Sequence, residues 1–510
     1  MPNKEDFLQQ VKDAYFFKGE TIKIGRAVLD REIVDSADIF LPLKTMNRHG
    51  LIAGATGTGK TKTLQLISEG LSDASVPVLL LDIKGDLSGL AAAGVADEKI
   101  TERAKKLGTE YKPGAFPVEL LTLSEKPGVR LRATVSEFGP VLLSKILGLN
   151  DTQGGIVALI FKYCDDNKLP LLDLKDFIKV LQYVSNEGKA EIEKAYGKIS
   201  TTSTGTILRK VIELEQQGAE QFFGEKSFDV ADLMRISDDG RGVISILRVT
   251  ELQDRPKLFS TFMLQLLAEV YATSAEEGDL DKPKLVIFID EAHLIFNEAS
   301  QVLLEQIETV VKLIRSKGIG VFFCTQNPTD IPASVLAQLG LKVQHALRAF
   351  TAKDRKGIKQ TAENYPETKF YKTENLITQL GIGEALITML NEKGIPTPLV
   401  HTMLLPPRSR MGILSDAEVN ELVSKSKLVD KYNQQLDGES AYEILTEKLN
   451  SAEHRTQEVE RKKSTVSKEK GFFDNPAVKQ ATRTAASVLT RELLGVLGVS
   501  GRRRRSRSLF

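Results

Sequence analysis

The run Gly54-Ala55-Thr56-Gly57-Thr58-Gly59-Lys60-Thr61 constrains this chain more than any other stretch. Its glycines let the main chain curl so that successive amides converge on one point. The apolar run Gly50 to Ala53 precedes it, and Lys62 to Leu71 reads as a helix. Strand, glycine-rich loop and helix in that order are the context a phosphate-binding loop requires. At ~7% glycine, the bare pattern would arise by chance in a chain of this length only on the order of 2% of the time. The expected nucleotide cradle is Gly54, Thr56, Gly57, Thr58, Gly59, Lys60, Thr61 and Lys62. Lys60 is placed to reach the β and γ phosphates, and the Thr61 hydroxyl to ligate Mg²⁺. No clear guanine-reading Asn-Lys-x-Asp string follows the P-loop, which favours ATP over GTP.

A loop of this kind needs a parallel sheet behind it, and the chain supplies the strands. Apolar runs at Pro77 to Leu81, Gly242 to Leu247, Leu285 to Ile289, Gly320 to Cys324 and Leu341 to Ala346 alternate with helical segments. That alternation indicates an α/β fold with helices covering a mainly parallel sheet. Glu384 to Leu390 and Pro398 to Met403, joined by Asn391 to Pro396, read as a hairpin. Thr21 to Ile24 and Ile39 to Leu43 read as short strands in a leader. Residues 125–235 carry a mostly helical pattern, with Val141, Leu142, Lys145, Ile146 and Leu149 at helical spacing and Ile207, Val211 and Leu214 likewise. The expected organisation is a leader (1–46), a core (47–124 and 236–405), a helical insertion (125–235), a charged helical extension (406–470) and an amphipathic helix with a basic tail (471–510).

Several apolar strands end in polar groups, where open α/β sheets place their ligands. Lys284 to Ile289 ends in Asp290-Glu291-Ala292-His293. Asp290 is expected to hold Mg²⁺, and Glu291 to polarise the attacking water as general base. Two readings stand for His293, coupling to the acids or packing, of which packing is favoured. The same four residues match the box of the DEAH helicases, but those enzymes need a second core domain that the remaining charged helical length does not offer. Gly320 to Cys324 ends in Thr325-Gln326-Asn327, which sets Gln326 toward the γ phosphate or the attacking water. Asp82-Ile83-Lys84-Gly85-Asp86 follows another strand, with two readings for its acids: the metal's water shell or loop ordering. The loop and its acids supply no arginine for transition-state charge. Arg348 is the first candidate for that role from a neighbouring subunit, and Arg355 the second. The helix before Gly320 presents Leu303, Ile307, Val310, Val311 and Ile314 on one face, which is core.

Composition narrows the remainder. Sixty-nine basic against sixty-eight acidic residues give a net charge of +1, and 41% of residues are hydrophobic. This excludes a disordered chain and a polytopic membrane protein. The two cysteines, Cys164 and Cys324, are far apart in apolar runs and read as reduced, buried thiols. The N-terminus shows no signal core, so a cytoplasmic location is expected. Ala477 to Val499 reads as a helix with an apolar side, followed by Arg502-Arg503-Arg504-Arg505-Ser506-Arg507. Three readings stand for this tail: nucleic-acid phosphates, an anionic membrane surface, or a docking helix with a solvated tail.

With these motifs placed, the chain resembles the HerA/FtsK branch of P-loop ATPases, and within it the bacterial HerA-like ATPases of the YjgR-like group. The resemblance rests on Asn47-Arg48-His49-Gly50-Leu51-Ile52 running into the P-loop and on Asp82-Ile83-Lys84-Gly85-Asp86-Leu87-Ser88-Gly89. It rests further on Leu149-Asn150-Asp151-Thr152-Gln153, Asp290 to Leu294, Arg315-Ser316-Lys317-Gly318, Thr325 to Pro328 and His345 to Thr351. It implies a RecA-like motor core, self-assembly into a homo-hexameric or other ring, and ATP-driven movement of DNA or another polymer. An ATPase remodelling a protein, or working at a membrane surface, is the alternative. Only 53 residues precede the P-loop, so no counterpart of HerA's N-terminal barrel is expected, nor the nuclease that accompanies HerA as a partner.

Overall fold

The computed structural model describes residues 4–253, 255–278, 280–296, 301–434 and 439–451. These fall into two compact units, one within Met1–Ala133 and Lys226–Leu436, the other within Thr134–Glu225 and Asp437–Phe510. The second helix and basic run expected after residue 471 lie outside the described residues.

The first unit is built on one sheet. Its strands are β1 (Thr21–Leu29), β2 (Glu32–Pro42), β3 (Gly50–Ala53), β4 (Val78–Asp82), β5 (Val118–Thr122), β6 (Val129–Arg130), β7 (Ile244–Arg248), β8 (Leu285–Ile289), β9 (Ile319–Thr325), β10 (Leu341–Gln344), β11 (Glu384–Thr388) and β12 (Val400–Leu404). They lie in the order β2-β1-β12-β11-β10-β3-β9-β8-β4-β7-β5-β6. From β10 to β6 every pairing is parallel; from β10 outward through β11, β12, β1 and β2 every pairing is antiparallel. The mainly parallel α/β class read from the sequence is the observed one, and Glu384–Thr388 and Val400–Leu404 do pair as a hairpin.

The burial pattern follows from position in the sheet. Every residue of β3, β4, β8 and β9 is buried, as expected for strands covered on both faces. In β1 and β2 buried and accessible residues interleave. The supposed leader is thus a pair of long strands, preceded by α1 (Lys4–Ala14), whose Phe7 and Val11 are buried in the main core. The interleaving hid β1 and β2 beyond their most apolar stretches, and bulges between Lys23 and Gly25 and between Arg26 and Val28 break their period further. Strand β5 was not read either, although it lies fully inside the sheet.

Helix α2 (Lys60–Asp73) follows β3, and α3 (Glu98–Lys106) precedes β5. Ile307, Val311 and Ile314 are buried as the helical spacing predicts; the side chain of Leu303 lies outside those described. Leu414 and Val419 from the region after the Pro406-Pro407 pair join the main core.

The second unit is helical: α4 (Val135–Ile146), α5 (Asp151–Asn167), α6 (Leu174–Ser185), α7 (Lys189–Tyr196) and α8 (Thr201–Gln216). Capping boxes at Thr134, Asn150 and Asp173 fix three of the starts. Ile207, Val211 and Leu214 are buried as read, but Val141 is exposed. Leu142, Lys145, Ile146 and Leu149 are only partly buried as well; past the kink at Gly139-Pro140, the face that packs carries Leu143 and Leu147 instead. Cys164 and Cys324 are free and buried.

Candidate active site

The parallel register brings the carboxyl ends of four strands level. Ala53 of β3 pairs with Thr325 of β9, Phe323 of β9 with Ile289 of β8, and Ile289 with Leu81 of β4. Gly54, Gln326, Asp290 and Asp82 are the residues at or just past those ends, so motifs up to 272 residues apart meet along one edge of the sheet.

The loop from Gly54 to Gly59 is tied at both ends. The amide of Gly54 donates to Thr325 O (3.2 Å) and that of Ala55 to Ala346 O (2.8 Å). Thr58 Oγ1 donates to Ala55 O (2.7 Å). A Cβ on Gly54 would fall 2.5 Å from the His345 Cβ, so only glycine lets the loop leave the sheet there. Gly59 has φ 116° and caps α2 without any side-chain acceptor. The first amides of that helix are therefore left for an external anion, with the helix dipole behind them. Thr56 and Gly57 form the exposed crest.

Lys60 is 7% exposed and folds back, its Nζ donating to Gly54 O (2.6 Å) and Ala55 O (3.3 Å). Burial, and then the nearby charge of Lys84, lower its pKa, against the pull of Glu291 and Asp290. A buried ammonium satisfied by the loop it would use for phosphate is a cation held ready for a stronger acceptor. The Thr61 hydroxyl donates to Asp86 Oδ2 (3.4 Å). The Lys62 ammonium is engaged elsewhere, with Met411 O (2.6 Å) and Gln65 Oε1 (2.9 Å). Only the main chain of Lys62 is left facing the cradle.

Asp290 and Glu291 are both 5% exposed at the end of β8. Glu291 sits at φ 46°, a left-handed conformation that costs a non-glycine residue on the order of 1 kcal/mol. Its carboxylate is ion-paired with the Lys84 ammonium on one oxygen and with His293 Nδ1 (3.1 Å) on the other. Burial alone would raise its pKa; the His293 and Lys84 contacts outweigh burial and bring it down to about 2. Asp290 is pushed the other way, to about 7, by burial, with Lys84 opposing and Glu291 adding to the rise. His293 therefore touches the carboxylate rather than only packing.

Asp82 is fully buried and its carboxylate is spent on the loop after β4. Oδ1 accepts from the amides of Gly85 (2.6 Å) and Asp86 (3.2 Å), and Oδ2 from that of Leu87 (3.0 Å). Of the two readings offered for this acid, loop ordering is the one the contacts match. Asp86 keeps one buried oxygen, Oδ1, without a hydrogen-bond partner. With the Thr61 hydroxyl and the Asp290 carboxylate, that orphan completes an all-oxygen donor set, the chemistry that suits Mg²⁺.

Gln326 is exposed at the end of β9, beside the P-loop strand. Arg348 lies on an exposed loop after β10, its guanidinium donating to Thr378 O (3.2 Å), and Phe350 beside it is 86% exposed. Arg355 is exposed on the helix Ala352–Glu363. Among the described residues, the ion-pair partners of Glu291 are Lys84 and His293, and neither arginine is one of them.

Two supporting residues had no role assigned from sequence. His345 is fully buried; its Nε2 pairs with Thr63 Oγ1 (2.8 Å), its Nδ1 with Glu384 O (2.9 Å), and its amide donates to Ala53 O (2.7 Å). Burial drives its pKa down to about 4, so it is a neutral strut joining α2 to the sheet. Lys84 lies between Asp82 and Asp86, just past the end of β4. The available signal was a lysine within two residues of acids at a strand end.

The model of the family described as helicase HerA-like C-terminal matches residues 28–494. The DNA double-strand break repair helicase HerA of Sulfurisphaera tokodaii is 23% identical over 382 residues, covering 73% of this chain and 67% of that protein. The DNA import protein CedB of Sulfolobus acidocaldarius is 23% identical over 389 residues, covering 73% and 55%. Among solved structures, the bacterial conjugative coupling protein TrwB superposes with a TM-score of 0.50 at 12% identity, over 80% of this chain and 94% of that one. At that identity the likeness speaks to the fold.

Proposed function

This chain belongs to the helicase HerA-like C-terminal family, and we propose that it is an ATP-hydrolysing motor of the HerA/FtsK type that assembles into a ring and moves DNA. The observation that carries the reading is the level alignment of four strand ends. It sets an uncapped helix N-terminus and Lys60 opposite a buried Asp290-Glu291 pair, with Gln326 between them.

The amides of residues 59–62 and the Lys60 ammonium bind the phosphates; Lys60 exchanges its bonds to Gly54 O and Ala55 O for phosphate oxygens. Thr61, Asp290 and the free oxygen of Asp86 are the donors for Mg²⁺, which when bound neutralises charge on the β and γ oxygens. Glu291 orients the attacking water and receives its proton on a carboxylate oxygen. In the geometry seen here Lys84 and His293 occupy that carboxylate, so the base acts once Lys84 turns toward the incoming phosphate. Gln326, exposed at the crevice, reads the γ phosphate. Arg348 is displayed outward beside an uncovered aromatic ring, which suits a residue serving a neighbouring protomer's nucleotide rather than its own.

DNA as the polymer is supported by relatives whose names carry DNA repair and DNA import. No helix among the described residues is long and apolar enough to cross a membrane; we place the protein in the cytoplasm. ATP hydrolysis measured with and without double-stranded DNA, at low and moderate salt, tests the polymer. Stimulation that weakens as salt rises is expected, because phosphate contacts release counterions. Turnover indifferent to DNA at every salt concentration would refute the DNA reading while leaving the ATPase standing.

A further inference from the structure

The helix Ala352–Glu363 carries four cations, Lys353, Arg355, Lys356 and Lys359, against two acids, Asp354 and Glu363. At helical spacing the four cations share the face opposite Ile358 and Thr361, which are buried. All four are exposed, and no ion pair or side-chain hydrogen bond joins any of them to another described residue. The Asp354 carboxylate turns back to the amides of Phe350 (3.0 Å) and Thr351 (2.8 Å), closing the capping box at the start of the helix.

Exposed lysines on other helices of this chain are treated differently. Lys162 pairs with Asp166, Lys210 with Glu213 and Lys425 with Glu421, each one turn away. In Ala352–Glu363 the neighbours one turn apart are Lys353 and Lys356, Lys356 and Lys359, and Arg355 and Lys359. Like charges at that spacing destabilise a helix, and a polyanion laid on the face would relieve all three pairs at once.

From this pattern we propose that the outer face of Ala352–Glu363 contacts the phosphate backbone of DNA. The inference rests on the DNA reading given above and assigns it a surface. Lys353 to Lys359 span ~9 Å of helix axis, a length over which a duplex presents about five phosphate charges. Gly357 suits the same partner. A Cβ there would meet nothing within 4 Å, so no neighbour in the chain demands glycine, and its bare flank beside Lys353 admits a sugar-phosphate strand closely. A membrane surface fits less well, because the apolar side of this helix is already spent: Ile358 packs with Leu347, Tyr365 and Ile377 in one buried cluster and has nothing to insert into lipid. The helix also hangs from the loop after β10, whose Ala346 O accepts the P-loop amide of Ala55 (2.8 Å). The DNA contact and the phosphate cradle are thus joined by a short span of main chain.

The test measures double-stranded DNA binding by the full chain as a function of salt. It compares wild type with a triple variant, Lys353→Gln, Lys356→Gln and Lys359→Gln together, and with the corresponding triple Lys→Arg variant. The Gln variant should bind DNA at least about tenfold more weakly at low salt, with a slope of log K against log salt shallower by about 2–3, since each phosphate contact contributes ~0.9. The DNA concentration giving half-maximal ATPase stimulation should rise by a similar factor. Hydrolysis without DNA should stay within about twofold of wild type, as befits surface substitutions in a folded protein. The Arg variant keeps the charges and should keep affinity within about threefold. Wild-type affinity and slope in the Gln variant would overturn the proposal, as would an equal loss of affinity in the Arg variant. Loss of binding to phosphatidylserine vesicles in the Gln variant, with DNA binding intact, would assign the face to a membrane instead. Failure of the underlying DNA reading looks different: wild type itself would then bind no DNA at any salt.

Discussion

Replacing Asp82 with Asn isolates one electrostatic cost in the site. Asp82 is fully buried, and burial, partly offset by the amides of Leu87, Gly85 and Asp86 and increased by Asp86's charge, raises its pKa from 3.8 to about 6. For an acid whose folded pKa is raised, the folded state binds more protons than the unfolded state between the two values. Stability therefore falls as pH climbs from about 4 to about 6, and the full penalty persists above that. Integrating one site with those two pKa values gives roughly 1–1.5 kcal/mol lost between about pH 5 and about pH 7.5. Asp82→Asn cannot titrate and should lack this slope. At high pH the amide also escapes the charge penalty, while an amide nitrogen facing the Leu87 or Gly85 N–H costs ~1–3 kcal/mol. The two terms are similar, so the variant should be within about 2 kcal/mol of wild type near neutrality. The assay is urea denaturation of both proteins across that pH range, read as the difference between the two curves. Parallel curves would refute the assignment of a raised Asp82 pKa, and with it the reading of this carboxylate as a buried loop anchor.

Lys84→Ala leaves Glu291 paired with His293 alone and removes a cation from the region of Lys60; kcat should fall at least about tenfold with ATP affinity changed only a few-fold, and an unchanged kcat would contradict a role for Lys84 at the phosphate. His345→Ala strips two buried side-chain hydrogen bonds and opens a cavity beneath α2, so the urea midpoint should drop by the equivalent of about 2–4 kcal/mol. Arg348→Ala should lower kcat by on the order of 10³ without weakening ATP binding; steady-state kinetics alongside a binding titration separates the two, and wild-type turnover would remove Arg348 from the mechanism.

How much of this was legible in the sequence follows from how local each signal is. The P-loop, Asp290-Glu291 and the strand before each are short contiguous patterns whose meaning depends on their own flanks. Their meeting along one sheet edge follows from parallel topology, which the alternation of apolar runs and helices already indicated. What stayed hidden depends on partners far away in the chain. Strands β1 and β2 are half-accessible and bulged, so neither period nor composition marks their full length. His345 acquires its role from Thr63 and Glu384, both far from it in the chain. Val141 misled because the same short run also carries Leu143 and Leu147 four residues apart, and it is that face which packs.

The central claim, that one edge of this sheet binds ATP through Lys60 and hydrolyses it through Glu291, is tested most directly by single-turnover ATP cleavage in wild type, Lys60→Ala and Glu291→Gln, with nucleotide binding measured on the same samples. The account predicts that wild type binds and cleaves and that Lys60→Ala loses both. Glu291→Gln should bind ATP at near wild-type affinity while cleaving it about 10²–10⁴-fold more slowly, the usual worth of a general base. Cleavage by Glu291→Gln at the wild-type rate, or full binding and cleavage by Lys60→Ala, would contradict it.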